Sequence, residues 1–414
     1  MKSSSRINVY LSTINFVLCF VGYPLAASLF LPATADIEGI SRMVTVPYRA
    51  LALVIAIIVL LLNYKVKGAQ KVLALNVFWI FWMFFIARVY YDVNLRSDVL
   101  LSDVSQLWLY IFGICLLPMY AIQKSFYFIN TDLALSWIIG GVFLILVTAL
   151  FNNDSQILNS GEVAERVGAS IAVNTITFGH IGAMGVILSL FMLQRKKGGY
   201  KKKIFYLFII ALSVFTLLKA GSRSPIVALL IVLLFWVFAK GKYVIQSIII
   251  TLFLILLIVV FSDNILHLMG KISPVIELRM RATVDGGDTS GRELLFYEAF
   301  DSFAESPLLG SQFAFIRNNS FVNSHNIIMD ALMGLGFLGG CALLYVLLKS
   351  IKVSYLNTHF KNPTSWISLI LIQQIVICVT SGALYYEQLI NVLLVFTFTY
   401  IASFQHQRKM VSPR

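Results

Sequence analysis

The chain has 414 residues, of which 59% are hydrophobic and only 12% charged, with a formal net charge of +13 and a mean hydropathy of +0.86. Soluble domains carry about 25% charged residues, so a soluble globular chain is excluded. The basic residues lie mainly in short connections between apolar stretches, which reads as membrane topology and not as a nucleic-acid surface.

Apolar segments of the length that crosses a bilayer as helix, about 17–25 residues, recur from end to end. Unpaired backbone is too costly in lipid for any open structure but helix. The expected fold is therefore all-α: a polytopic integral membrane protein forming a single transmembrane domain, 1–414, of about 12 transmembrane helices. The spans fall near 9–31, 47–63, 71–91, 107–122, 133–151, 171–194, 204–219, 225–239, 243–262, 326–348, 365–384 and 387–404. The first lacks a small-residue cleavage site and reads as a span, not a signal peptide. Cys19, Cys115, Cys341 and Cys378 lie in apolar segments without metal-ligand spacing, so they read as small buried apolar residues.

Alternate connections carry Lys65, Lys67 and Lys71, then Arg195 to Lys197 and Lys201 to Lys203, then Lys240 and Lys242, then Lys349, Lys352 and Lys361. The positive-inside rule puts these and both termini in the cytoplasm. The opposite side is different in kind. Its basic residues are Arg42, Arg49, Arg88, Arg96, Arg166, Arg223, Arg279, Arg281, Arg292 and Arg317, with only Lys219 and Lys271 as lysines. Guanidinium is a planar fork that holds phosphate oxygens in pairs, whereas lysine is a point charge. An outer face that prefers arginine points to phosphate or diphosphate. The plain alternative is pairing with outer carboxylates such as Asp92, Asp98, Glu162 and Glu165.

Chain order then yields the candidate site. Arg166 precedes span six, and Asn174, Thr175, Thr177 and His180 lie in its outer part, where polar groups must line a cavity or pair with each other. Gly221-Ser222-Arg223-Ser224-Pro225 connects spans seven and eight. Pro225 suits a first helical turn and Ser222 or Ser224 can cap it; free N–H groups there favour an anion. The large outer loop, 263–325, is expected to contain short helices. Ser290-Gly291-Arg292-Glu293 has the form of a capping box, opening a segment in which Leu295, Ala299 and Phe303 share one face and which Pro307 ends. His325 opens span ten. Histidine titrates near neutrality and takes a proton from a hydroxyl at working pH. Asn326 follows it, and Asp330 lies within the span and needs a partner. Gly336 and Gly339, with Gly334 and Gly340, suit close helix packing. A helix-end cap is the plain alternative for His325. No Gly-rich phosphate loop, paired-carboxylate motif or His/Cys metal cluster is present.

His325-Asn326, nine residues, Gly336, two residues and Gly339 resemble the motif of the bacterial O-antigen ligase and O-antigen polymerase superfamily. The Gly-Ser-Arg-Ser-Pro turn at 221–225 looks like that family's outer turn. Arg292, its aromatic-rich segment and Pro307-Leu308-Leu309-Gly310 look like its large periplasmic loop. Phe296 or Tyr297 stands where many relatives have tryptophan, and the interval from Arg292 to His325 is short for the best-known ligases of the family. The resemblance implies a metal-independent, cofactor-free glycosyltransferase of the bacterial inner membrane. Its donor would be a glycan on undecaprenyl diphosphate and its active site would face the periplasm. Arg223 and Arg292, with Arg166, would grip the diphosphate, and His325 would be the general base. The acceptor would be lipid A–core in a ligase, which the His-Asn motif favours, or a second lipid-linked glycan in a polymerase. A polyprenyl-glycan flippase is the rival of another class, but it needs charge through the bilayer centre, and here charge gathers at the outer face.

Overall fold

Length and apolarity carry most of the chain into helices, and the computed structural model shows how they meet. It describes residues 3–31, 37–66, 72–95, 104–148, 155–157, 163–165, 175–195, 199–241, 267, 270–271, 277–278, 280–281, 292–317 and 320–401. Among these, eight helices are long and apolar enough to cross a membrane. They are α1 (Arg6–Phe30), α2 (Met43–Asn63), α3 (Leu73–Leu95), α4 (Leu109–Phe128), α5 (Thr131–Thr148), α6 (Thr175–Gln194), α8 (Arg223–Lys240) and α10 (Ile327–His359). Between them lie α7 (Tyr200–Lys219) and α9 (Arg292–Glu305), and α11 (Ser365–Ser381) and α12 (Gln388–Thr399) follow. The protein is a mostly helical polytopic membrane protein. Every expected span holds a helix except 243–262, which lies outside the described residues.

Two antiparallel hairpins interrupt the all-α expectation: β1 (Ser155–Ile157) with β2 (Val163–Glu165), and β3 (Phe315–Arg317) with β4 (Ser320–Val322). Both sit in connections between spans, where a closed pair of strands satisfies backbone groups locally.

The core is aromatic. Phe16 of α1 packs on Phe396 of α12 and on Trp366 of α11, with centroids 4.8 and 6.3 Å apart. Asn8 and Asn63 exchange two 2.8 Å hydrogen bonds between α1 and α2, pairing polar groups that lipid would not satisfy. Cys19, Cys115 and Cys378 are buried as expected, but Cys341 is exposed, because it falls on the open side of α10.

α10 is not continuous. Gly336 has φ 65° and ψ −162°, a region open essentially to glycine alone. The break frees backbone groups, and the 307–312 segment takes them: Phe337 N–H donates to Pro307 at 2.7 Å, and Ser311 N–H donates to Met333 at 2.8 Å. The residue expected to smooth a helix–helix contact thus receives a loop. A Cβ on Gly336 would fall on the Leu308 backbone, and one on Gly310, at φ 77°, on the Gly334 backbone. Gly339 lies beyond the break, buried against its own helix. The docked loop is braced from α3. Asp92 accepts from Arg88 at 3.0 Å and from Phe313 N–H at 2.8 Å, while Arg88 donates to the Gly310 carbonyl at 3.2 Å.

Candidate active site

The polar ends of several spans converge on one cavity of about 480 Å³. Its walls include Arg292 from the start of α9, His325 from the turn before α10, Thr177 and His180 from α6, Gln374 and Ser381 from α11, and Glu387 from the turn before α12. Tyr23, Tyr48, Arg49 and Tyr110 complete the far side. The opposite ends of α6, α8 and α10 carry Arg195, Lys240 and His359, where Arg195 pairs with Asp132 and His359 bonds the Ala239 carbonyl.

The turn that presents His325 is built from its neighbours. His325 is left-handed, φ 57°, a conformation that costs a non-glycine residue about 1–2 kcal/mol. Asn323 offsets that cost. Its Oδ1 accepts from His325 N–H at 3.1 Å, and its Nδ2 donates to the Tyr386 hydroxyl at 3.0 Å. Asn326 caps α10, accepting from the N–H groups of Ile328 at 2.9 Å and Met329 at 3.2 Å. The helix-end cap is therefore Asn326, which leaves the His325 ring to the cavity.

Asp330 is buried within α10 and accepts three hydrogen bonds. Ser324 gives its hydroxyl at 2.6 Å and its N–H at 3.1 Å, and Leu384 gives its N–H at 3.1 Å. This ties the histidine turn to the connection between α11 and α12. Asp330 has the partners that its depth demands, and it positions the turn from behind.

Burial pushes the His325 imidazole below the ordinary histidine value, and the Arg292 charge pushes the same way; a hydrogen bond to the Ser381 backbone opposes both. His325 is therefore neutral near pH 7, and its Nδ1 is buried without a hydrogen-bond partner. Arg292 itself is held by the Thr380 carbonyl at 2.8 Å. α9 is anchored by Ala299, which is fully buried against Phe315, Met329 and Met333, with Leu295 beside it. Leu295 and Ala299, two of the three residues expected on its apolar face, thus make the contact, whereas Phe303, half-buried like Leu295, is not in that cluster. Ser290 lies outside the described residues.

His180 meets the turn between α7 and α8: its Nε2 and the Ser224 hydroxyl are 2.9 Å apart. Ser222 occupies the N-cap position of α8 but makes no side-chain cap bond. Neither serine caps the helix as expected, because Ser224 is drawn to the histidine. Arg223 heads α8 in this turn without lining the cavity. Arg166 and Asn174 lie outside the described residues. For Arg88, Arg281 and Arg317 carboxylate pairing is what the structure holds, with Asp92, Glu277 and Glu298.

Sequence reasoning missed the tyrosines, Gln374 and Glu387. Tyrosines are common at span ends, and Glu387 stands between two tyrosines and an apolar run that resembles no motif. Arg49 was visible as an outer arginine, but nothing local showed that it faces the same cavity as His325.

A helical membrane bundle with a histidine and an arginine on one terminal cavity defines a class: a multi-pass membrane protein with a polar cavity at one end of its spans. Residues 208–344, which contain Arg223, Arg292, His325, Gly336 and Gly339, match the family model described as O-antigen ligase. That segment is similar to the O-antigen ligase family, and the match supports a membrane glycosyltransferase of the O-antigen ligase and polymerase type. No curated protein matches it.

Proposed function

We propose that this protein transfers a glycan from undecaprenyl diphosphate to a sugar hydroxyl at the periplasmic face of the inner membrane. One observation carries the proposal: Arg292 and His325 line one cavity, and the arginine's charge helps keep the histidine neutral. A neutral imidazole accepts the acceptor hydroxyl's proton. The freed oxygen forms the new bond to the anomeric carbon as the bond from that carbon to the diphosphate oxygen breaks. The leaving diphosphate carries the charge away, and forked guanidinium groups stabilise it as it develops. In this reading Arg292, which lines the cavity, takes that role. Arg223, next to the Ser224 that meets His180, is the second candidate, and Arg166 is the third. In this scheme arginine supplies the charge that a metal ion supplies in other transferases, and the leaving group needs no carboxylic acid.

In this reading the chain has twelve spans with both termini in the cytoplasm, and the cavity and the basic ends at Arg195 and Lys240 face opposite sides. The His325-Asn326, Gly336, Gly339 pattern favours a ligase acting on lipid A–core. A polymerase would run the same step on a second lipid-linked glycan.

Deleting the gene and resolving the cell's lipopolysaccharide by electrophoresis separates these. Bare core with long glycan retained on the carrier is the expected result. Core with a single repeat unit would instead indicate a polymerase. Unaltered lipopolysaccharide, or full complementation by His325→Ala, would overturn the assignment.

A further inference from the structure

The outward face of α10 is too short for a bilayer. Its exposed apolar side chains include Phe337, Leu338, Leu344 and Leu348, and the exposed Lys349 and Lys352 close the band. From Phe337 to Leu348 is about 17 Å of helix at ~1.5 Å per residue, against a hydrocarbon layer of about 30 Å. Lysine stems that reach along the helix recover only part of the difference. From Ile327 to Gly336 no residue of α10 is exposed. There α9 and the 307–312 segment cover it, through Ala299 on Met329 and Met333 and through the Pro307–Phe337 bond.

A second span gives the level of that cover. A Cβ on Gly334 would come 3.8 Å from the Phe85 ring, and Phe85 lies near the middle of the 23-residue α3. Gly310 packs on the Gly334 backbone and Leu308 on Gly336. The 307–310 turn thus lies within the height of the spans, yet Leu308 and Leu309 are 70% and 73% exposed. Irregular backbone at such a depth must find partners within the protein. Pro307 accepts from Phe337 N–H at 2.7 Å, Gly310 N–H donates to Ser306 at 2.8 Å, and the Gly310 carbonyl accepts from Arg88.

α9 continues this surface. Phe296, Tyr297 and Phe300 are exposed and three or four positions apart, so they share one arc, which Glu293 heads in the first turn. Glu298, Asp301 and Glu305 occupy another arc, where Glu298 pairs with Arg317. Leu295 and Ala299 make the third face, against α10. An aromatic arc beside an acidic one is the pattern of a helix lying at a membrane surface.

We propose that α9 and the 306–310 turn are seated in the bilayer leaflet at the cavity end of the bundle, with phospholipid acyl chains against Phe296, Phe300, Leu308 and Leu309. These side chains extend the band that Phe337 and Leu338 begin, and that continuity names the occupant as lipid. Tyr297 stands at the headgroup level and the acidic arc meets water. The stretch of the 263–325 loop that opens with Arg292 is then a membrane element, and lipid fixes the height of the helix that carries that arginine into the cavity. The assignment holds whether or not a glycan is transferred.

The test is spin-label accessibility in the full-length chain, reconstituted into vesicles of phosphatidylethanolamine and phosphatidylglycerol. Oxygen concentrates in hydrocarbon, whereas a nickel chelate stays in water. Cys341 is exposed on α10 and the other three cysteines are buried, so the wild type supplies the lipid-facing reference. Phe300→Cys, Leu308→Cys and Asp301→Cys are made on a Cys341→Ser background. Labels at 300 and 308 should relax with oxygen as the Cys341 label does and lose the nickel effect, which the label at 301 should keep. Elution as a single monodisperse species qualifies each variant, and Phe296→Cys and Leu309→Cys read the same surface if one of the first pair does not fold. Nickel access at 300 and 308 equal to that at 301 overturns the proposal and returns the segment to water. Protection from both reagents also overturns it, since protein, a second copy included, would then cover the arc.

Discussion

Asp330 and Leu384 are 54 positions apart, yet the carboxylate of one accepts the backbone N–H of the other at 3.1 Å. Because Ser324 donates twice to the other oxygen, the two elements flanking His325 are pinned to a single buried acid. Asp330→Asn should break this pin. An amide presents an acceptor to one side only, so its NH₂ would face the N–H of Leu384 or the Ser324 donors. Leaving a buried donor unsatisfied costs about 1–3 kcal/mol. Thermal unfolding followed by circular dichroism should show a lowered midpoint, with transfer activity falling alongside it. An unchanged midpoint would remove the pin from the account.

The histidine's protonation offers a second check. Burial and Arg292 both lower the His325 value, so the imidazole should stay neutral somewhat below the usual histidine range and the acid limb of transfer should fall there. The sign for a charge removal follows: Arg292→Gln deletes a positive neighbour, stabilises the imidazolium and moves the titration upward. Nitrogen-15 histidine NMR across pH 4–8 (about the range of the unperturbed group) reads this without relying on activity. A downward movement would contradict the placement of Arg292.

Arginine's fork is a third. Arg292→Lys and Arg223→Lys keep the charge but not the paired donors. Both are expected to lose most transfer, by roughly one to two orders of magnitude, under steady-state donor titration. Near-wild-type turnover in the lysine forms would show that simple charge attraction suffices.

Gly336→Ala addresses the break in α10. The new methyl would meet the Leu308 backbone at a dihedral that alanine avoids, a destabilisation of at least about 1–3 kcal/mol. Asn326→Ala should cost about 1 kcal/mol through the lost cap, and Asn326→Ser should restore most of it. The ranking of the three midpoints is the readout.

Hydropathy made the helices legible because crossing a bilayer imposes a length that folding in water does not. His325 and Asn326 were legible at a span end and Arg292 at the start of a capped loop segment, in a recognisable order. Tyr23, Tyr110 and Arg49 were not, since they share a cavity with His325 only when the first spans pack against α11 and α12, and no local pattern records that packing. Gly336 misled for a related reason. A glycine in an apolar run signals close approach, but sequence does not say whether helix or loop approaches.

The break at Gly336 has a mechanical consequence. The short segment behind His325 is fastened sideways, to the 307–312 loop and to Leu384, and its ladder to the long lower part of α10 is interrupted. Tilting or stretching of that lower part, as a bilayer of different thickness would impose, has no continuous rod through which to reach the histidine. The histidine turn is referenced to its own end of the bundle and insulated from the depth of the membrane beneath it.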